Sequence, residues 1–414
     1  MLYQAERHEP LDAIPWVAAQ AQAWIRHIVA DTEAHAEPAH DWPLHPRDVE
    51  PGDDPTKAKP ALYHGTAGVI WALHHLQDLG AARLARSHLG GLDDLLARNR
   101  AWLGDQAHAE RAAYLMGDLP IELLAFGEHP TPERALRLAE LIRGNLDHPA
   151  RELMWGSPGT LLAAAFLHER TGDDRWAGLF RMTAERLWAQ LIWSDEHQCH
   201  HWTQDLYGRN YSFLDGVHGF VATASVLIRG RHLLSDATWG AWQACIVNTV
   251  TRTAQHEAGQ VNWRPMLIDP PGKTQPLLMQ FCHGAPGFVI CLGDLPGQQL
   301  DPLLCAAGEA IWAAGPLKKG ANLCHGTGGN GYAFLKLYRR TGDPLWLGRA
   351  RAFAMHAIQQ SARDEAAYGQ LQYSLWTGDL GLACYLWNCM RGEALFPTLD
   401  CFYPALPGSS HSRP

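Results

Sequence analysis

The chain has 414 residues, 47% of them hydrophobic, with 17 Trp and 39 Gly, enough apolar mass for a full core and too much for a disordered or fibrous chain. Asp plus Glu outnumber Lys plus Arg by 43 to 34, for a net charge of −9, and no basic run marks a nucleic-acid footprint. No stretch of about 20 apolar residues predicts a membrane span, Met1–Pro15 lacks the two regions of a secretory signal, and nine Cys, an odd number, predict reduced thiols in a cytoplasmic protein.

In chain order, residues 1–60 are expected to hold an N-terminal helix and a Pro- and Gly-rich surface loop, Glu37–Pro60, packed on the main helical body. Apolar residues at three- and four-residue spacing predict helices over Ala81–Leu103, Pro132–Asn145, Asp174–Trp193 and Trp239–His256. A second loop is expected at Ile268–Pro276 and a flexible tail over 404–414. Alternating strand patterns are scarce, so the fold class reads as all-α.

One short motif recurs. A Gly-rich turn opens an apolar helix at His64-Gly65-Thr66-Ala67-Gly68, Trp155-Gly156-Ser157-Pro158-Gly159 and Asp215-Gly216-Val217-His218-Gly219. It returns at Cys282-His283-Gly284-Ala285-Pro286-Gly287, Cys324-His325-Gly326-Thr327-Gly328-Gly329 and Thr377-Gly378-Asp379-Leu380-Gly381, with a weaker copy at Met116-Gly117-Asp118-Leu119-Pro120. Such a period signals a repeat architecture. An apolar helix cannot bury its whole surface alone, and closing the repeats into a ring leaves no terminal unit exposed. The expectation is an α/α toroid of about seven inner and seven outer helices over residues 61–403, with every Gly turn at one end.

That convergence singles out a metal set. Cys282 and Cys324-His325 stand just before the Gly of two successive copies, 42 residues apart. Two thiolates and one imidazole suit Zn2+, and three protein ligands leave a fourth tetrahedral position for a substrate. The tract His197, Cys199, His200 and His201 also carries metal-binding side chains, but it falls between helices and off the turn frame, so it reads as a loop with incidental affinity.

The segments Gln280–Gly287 and Leu317–Leu335, with the turn pattern from His64 to Gly381, resemble the lanthionine synthetase C family, most closely its eukaryotic-type LanC-like branch. The resemblance implies one zinc that binds a thiol for addition to dehydroalanine or dehydrobutyrine, forming a thioether. The thiol is a peptide cysteine in the cyclases; the LanC-like branch is associated with glutathione. The acceptor is then a dehydrated peptide or protein, and a separate dehydratase or kinase must prepare it. Zinc coordination deprotonates a thiol that is otherwise mostly protonated at neutral pH.

The resemblance also implies roles. His218 matches the family's acid/base histidine. Glu152 lies where the cyclases carry an Asp near the zinc, and His283 follows the first zinc Cys where bacterial cyclases often carry Tyr. Lys319 matches a lysine implicated in glutathione binding. Position 278 is Leu where cyclases carry Arg, a departure from the cyclase pattern. Two other readings stay open: a carbohydrate-active toroid, which needs paired carboxylates such as Glu152, Asp215 and Asp379, and a zinc- or glutathione-binding protein without turnover.

Overall fold

The computed structural model describes residues 1–404 apart from 38–40, 51, 55, 271 and 273; the expected tail, beyond its first residue, lies outside the described residues. Among the described residues, fourteen helices of eight or more residues succeed one another: α1 (Ala18–Ala34), α2 (Thr66–Asp78), α3 (Leu92–Leu103), α4 (Leu119–Glu128), α5 (Pro132–Gly144), α6 (Ser157–Thr171), α7 (Asp174–Ala189), α8 (Phe220–Arg229), α9 (Asp236–Thr253), α10 (Ala285–Leu292), α11 (Asp301–Ala314), α12 (Thr327–Thr341), α13 (Pro344–Tyr368) and α14 (Asp379–Arg391). The even-numbered helices come directly after the Gly turns and have little polar face. α10 is buried at every residue and α12 through its first eleven. Most odd-numbered helices are amphipathic, and several begin on capping side chains: Thr131, Asp173, Ser235 and Asp343 each accept a backbone N–H of the first turn.

Each even helix packs on the next even one, and α14 packs back on α2, so the inner ring closes. The odd helices wrap it, with α1 against α14 as the seventh outer member. The chain is an α/α toroid, as the repeat predicts. Closure removes the exposed end that an open stack of apolar helices would present to water.

Three details differ from the sequence expectation. Short hairpins interrupt the helices: β1 (Ile192–Ser194) with β2 (Cys199–His201), β3 (Gln204–Leu206) with β4 (Arg209–Tyr211), and β5 (Ala254–Glu257) with β6 (Gln260–Trp263). The predicted helix at Ala81 starts only at Leu92, because Gly90-Gly91 sits in a turn and Gly91 takes a φ of 84°. The loop before Pro60 is more than surface: it buries Trp42, His45 and Lys59 against the ring.

The ring has a filled centre. The segment after α14 crosses the inner helices and packs on several of them. Phe396 packs on Phe281, Tyr332 and Trp376, and Phe402 on Trp71, Tyr114 and Phe166. Polar anchors hold it: the Trp71 indole donates to the carbonyl of Phe402, and Lys336 pairs with Asp400 at 2.8 Å.

Candidate metal centre

The residue two before each turn-closing glycine occupies one circle at the end of the toroid: Tyr63, Leu115, Met154, Val217, Cys282, Cys324 and Trp376. Backbone hydrogen bonds tie these positions together. Tyr63 N–H donates to the Leu115 carbonyl (3.0 Å), Leu115 N–H to Met154 (3.1 Å), Cys282 N–H to Cys324 (3.0 Å), Cys324 N–H to Trp376 (2.9 Å) and Trp376 N–H to Tyr63 (3.2 Å). Leu153 N–H donates to Val217 (3.3 Å). Between the fourth and fifth turns, glycine takes the place of that bond: a Cβ on Gly216 would stand 3.0 Å from the Cα of Gly287. This belt turns residues far apart in sequence into ring neighbours.

Cys282 and Cys324 are adjacent on the belt, and His325 comes directly after Cys324. Their ligand atoms all lie within 4.8 Å of one another, and among the described residues they form the one cluster of its kind. Both thiols are buried. Each sulfur also receives a hydrogen bond: Tyr63 Oη–H donates to Cys324 Sγ at 2.9 Å and Gln280 Nε2–H to Cys282 Sγ at 2.9 Å. Donors aimed at sulfur suit thiolates, and thiolate ligands need a cation beside them. The Cys282 thiol shares a hydrogen bond with Cys324 and is buried, and both push its pKa well up; a resident cation would reverse that. The donor set and its surroundings therefore fit zinc.

Around the belt the structure brings together most of the other residues singled out from sequence. His218 Nδ1–H donates to Glu152 Oε2 at 2.8 Å. Glu152 is fully buried and also accepts from the backbone N–H of Met154 and Trp155, at 2.9 and 2.6 Å. Burial alone would lower the His218 pKa, but the Glu152 hydrogen bond and charge outweigh it and raise the pKa to about 9. His283 Nδ1–H donates to Asp215 Oδ2 at 2.7 Å. Burial again opposes protonation, and the Asp215 charge overcomes it, so this ring too is raised. Both rings follow directly on belt positions, His218 after Val217 and His283 after Cys282, so they stand at the same end of the ring as the cluster.

Lys319 stands apart from the sulfurs. It is exposed and lines a shallow cleft with Arg47, Asn322, Asp364, Gln372 and Thr377. Arg47 Nη2–H donates to its carbonyl at 2.8 Å and also pairs with Asp364. Asn322, on the same wall, accepts the His325 N–H at 3.0 Å, so the cleft adjoins the turn that carries Cys324 and His325 of the cluster.

The part that three residues play at the site escaped the sequence reading. Tyr63 shares the belt position of the two cysteines, a sign available once the turns are aligned. Gln280 and Asp215 each stand two residues before the belt position, as Glu152 and Asn322 do. The carboxylates considered for sugar chemistry are all engaged locally: Glu152 and Asp215 on imidazoles, and buried Asp379 on Ser361 Oγ and the Gln372 N–H. The tract from His197 to His201 spans the end of the β1–β2 turn and strand β2, with Cys199 and His201 buried and His200 between them.

Among known sequences, the profile described as lanthionine synthetase C-like protein matches residues 56–401. Glutathione S-transferase LANCL1 of Danio rerio is 38% identical over 136 residues, covering 31% of this chain and 33% of that protein. LanC-like protein GCL1 of Arabidopsis thaliana is 36% identical over 126 residues, covering 28% of each. The chain thus aligns with about a third or less of the length of these relatives. Nisin cyclase shares the fold, with a TM-score of 0.52 at 14% identity over 81% of this chain and 94% of that one. No helix among the described residues is long and apolar enough to cross a membrane.

Proposed function

Since the chain belongs to the lanthionine synthetase C-like family, we propose that it is a zinc-dependent enzyme that adds a thiol to a dehydroalanine or dehydrobutyrine residue. The observation that carries this reading is the convergence of Cys282, Cys324 and His325 within 4.8 Å, beside a histidine held by a buried carboxylate. Zn2+ in that set would lower the pKa of an incoming thiol and keep it nucleophilic at neutral pH. Cys282, Cys324 and His325 are its ligands, and Tyr63 and Gln280 hydrogen-bond the two sulfurs.

The reaction forms an S–Cβ bond, breaks the Cα–Cβ π bond and leaves Cα in need of a proton. His218 is placed to handle that proton. Its Nδ1 is committed to Glu152, so Nε2 is the nitrogen that faces chemistry, and the carboxylate keeps the ring charged and able to donate near neutral pH. After donation, the neutral ring can accept the proton of the next thiol, so the hydrogen lost by sulfur is the one gained by Cα. His283 stands on the neighbouring turn, available to the acceptor.

Glutathione is the thiol we favour. Leu278 stands where cyclases carry Arg, and the cleft beside the His325 turn offers the Lys319 ammonium, next to the Arg47–Asp364 ion pair. That ammonium complements a carboxylate of a short free peptide. The relative named as a glutathione S-transferase points the same way.

The test is direct. Purified protein is incubated with a dehydroalanine peptide, either with glutathione or with a cysteine in the same peptide, and products are read by mass spectrometry. The expected product is the glutathione adduct, lost in Cys282→Ala together with stoichiometric zinc. No thioether with either donor would sink the proposal.

A further inference from the structure

The two carboxylate–histidine pairs share one construction. In each, an acid stands two residues before the belt position, caps its own turn, and then reaches the histidine of the next turn. Glu152 does this for His218. Asp215 does it for His283: Oδ1 accepts the N–H groups of Val217 and His218 at 3.0 and 2.8 Å, and Oδ2 takes Nδ1 of His283 at 2.7 Å.

Capping a turn needs only one acceptor oxygen. The sixth turn manages with Asn322, whose amide oxygen accepts the His325 N–H. Asp215 is fully buried, and its second oxygen therefore does something a cap does not require. That oxygen sets the His283 ring, which also lies stacked against Phe213 with centroids 6.0 Å apart. The His283 side chain is 24% exposed, so it borders solvent. With Nδ1 taken, Nε2 is the one ring nitrogen left for a ligand.

We infer that Asp215 is a positioning residue for the acceptor. It fixes the tautomer and plane of His283 so that Nε2 meets the backbone of the dehydroamino-acid peptide. His218 serves Cα from the neighbouring turn. The two jobs are split between two copies of one device, offset by one repeat. This inference rests on the thiol-addition reading above, but its structural core, an Asp215-dependent His283 ring, stands apart from turnover.

Asp215→Asn separates the two tasks of the carboxylate. It keeps an oxygen for the cap and puts an amide where His283 needs an acceptor. In the glutathione assay, kcat/KM for the dehydroalanine peptide is expected to fall about 10- to 100-fold, the usual scale for losing a partner that orients a site histidine. Zinc content and the KM for glutathione should hold. In a His283→Asn background, Asp215→Asn should cost nothing more. A second readout needs no activity: nitrogen-15 histidine spectra should show the His283 ring nitrogens change on Asp215→Asn, while His218 keeps its Nδ1 proton on Glu152. Multiplying losses in the double variant, wild-type activity in His283→Asn, or an unchanged His283 ring would each overturn the inference. Should Asp215→Asn fail to fold, Asp215→Ser supplies a short hydroxyl acceptor for the turn and leaves His283 without its partner. If wild-type protein forms no thioether, the thiol-addition reading fails by itself, and the spectra still decide whether Asp215 sets His283.

Discussion

Glu152 holds Nδ1 of His218 at 2.8 Å across a sequence separation of 66 residues. The bond joins two neighbouring repeats, and it is the main reason why a buried imidazole favours its charged form. Glu152→Gln keeps an oxygen for the turn but removes the charge. The His218 pKa should then fall from about 9, because the largest opposition to burial is gone. The alkaline limb of the pH–rate profile should move to lower pH, read also from proton NMR of the ring. The stability sign agrees. The folded pKa lies above the unfolded value near ~6.5, so the pair stabilises fully below that pH and its contribution is lost as pH rises through about 9. A profile unmoved by Glu152→Gln would mean that another group governs that limb.

The sulfur donors should tune the metal. Tyr63→Phe and Gln280→Leu each remove one hydrogen bond to a cysteine sulfur while leaving all three ligands in place. Zinc affinity, measured by competition with a chromophoric chelator, should weaken about 10-fold or more for each. Unaltered affinity in both would show that the ligands alone set binding.

Acid should destabilise the fold before carboxylates titrate. Burial holds His64 at about 3, and His45 and His75 at about 4. The unfolded chain then binds more protons than the folded one below about pH 6.5, so stability falls as pH falls through that window. Each group costs up to about 2 kcal/mol at pH 5. Asp379, raised to about 6 by burial, offsets part of the loss because it gains its proton early in the folded state. His75→Phe can keep the stack on Trp71, whose ring centroid lies 4.4 Å away, and should make urea midpoints at pH 7 and pH 5 more alike than in wild type.

Backbone at the metal turn should not tolerate a side chain. Gly284 has a φ of +112°, and a Cβ there would meet the Leu278 carbonyl oxygen at 2.0 Å. Gly284→Ala should cost about 3 kcal/mol or more and lower zinc content, since it distorts the turn carrying Cys282. Gly90→Ala, with nothing within 4 Å of the new Cβ, should stay within about 0.5 kcal/mol. Equal midpoints for the two variants would refute the close-approach argument.

The buried lysine in the ring's centre is a further test. Lys336 is 1% exposed, and its ammonium lies 2.8 Å from both Asp294 and Asp400. Asp400→Ala removes one partner and loosens the crossing segment, and should cost about 3 kcal/mol by denaturant titration. Pairing it with Lys336→Met should recover part of that loss, because no buried charge is left uncompensated.

Much of the architecture was legible in the chain. The glycine turns recur at fixed places before apolar helices, and a helix without a polar face must be enclosed by others, so a closed double ring emerges from pattern alone. Equivalent turn positions also single out Cys282, Cys324 and His325, because side chains at equivalent points of a ring converge whatever their separation in sequence. Tertiary structure decided the rest. Which carboxylate meets which histidine depends on the one-repeat offset of Glu152 to His218 and Asp215 to His283, and that offset is set by how neighbouring turns dock. The loop burying His45 and Lys59 reads as polar surface because its composition is that of a loop, and the crossing segment after α14 carries too few residues to show a period. Local repetition along the chain determined the kind of site; the neighbours of each side chain came from packing between repeats, which no local pattern records.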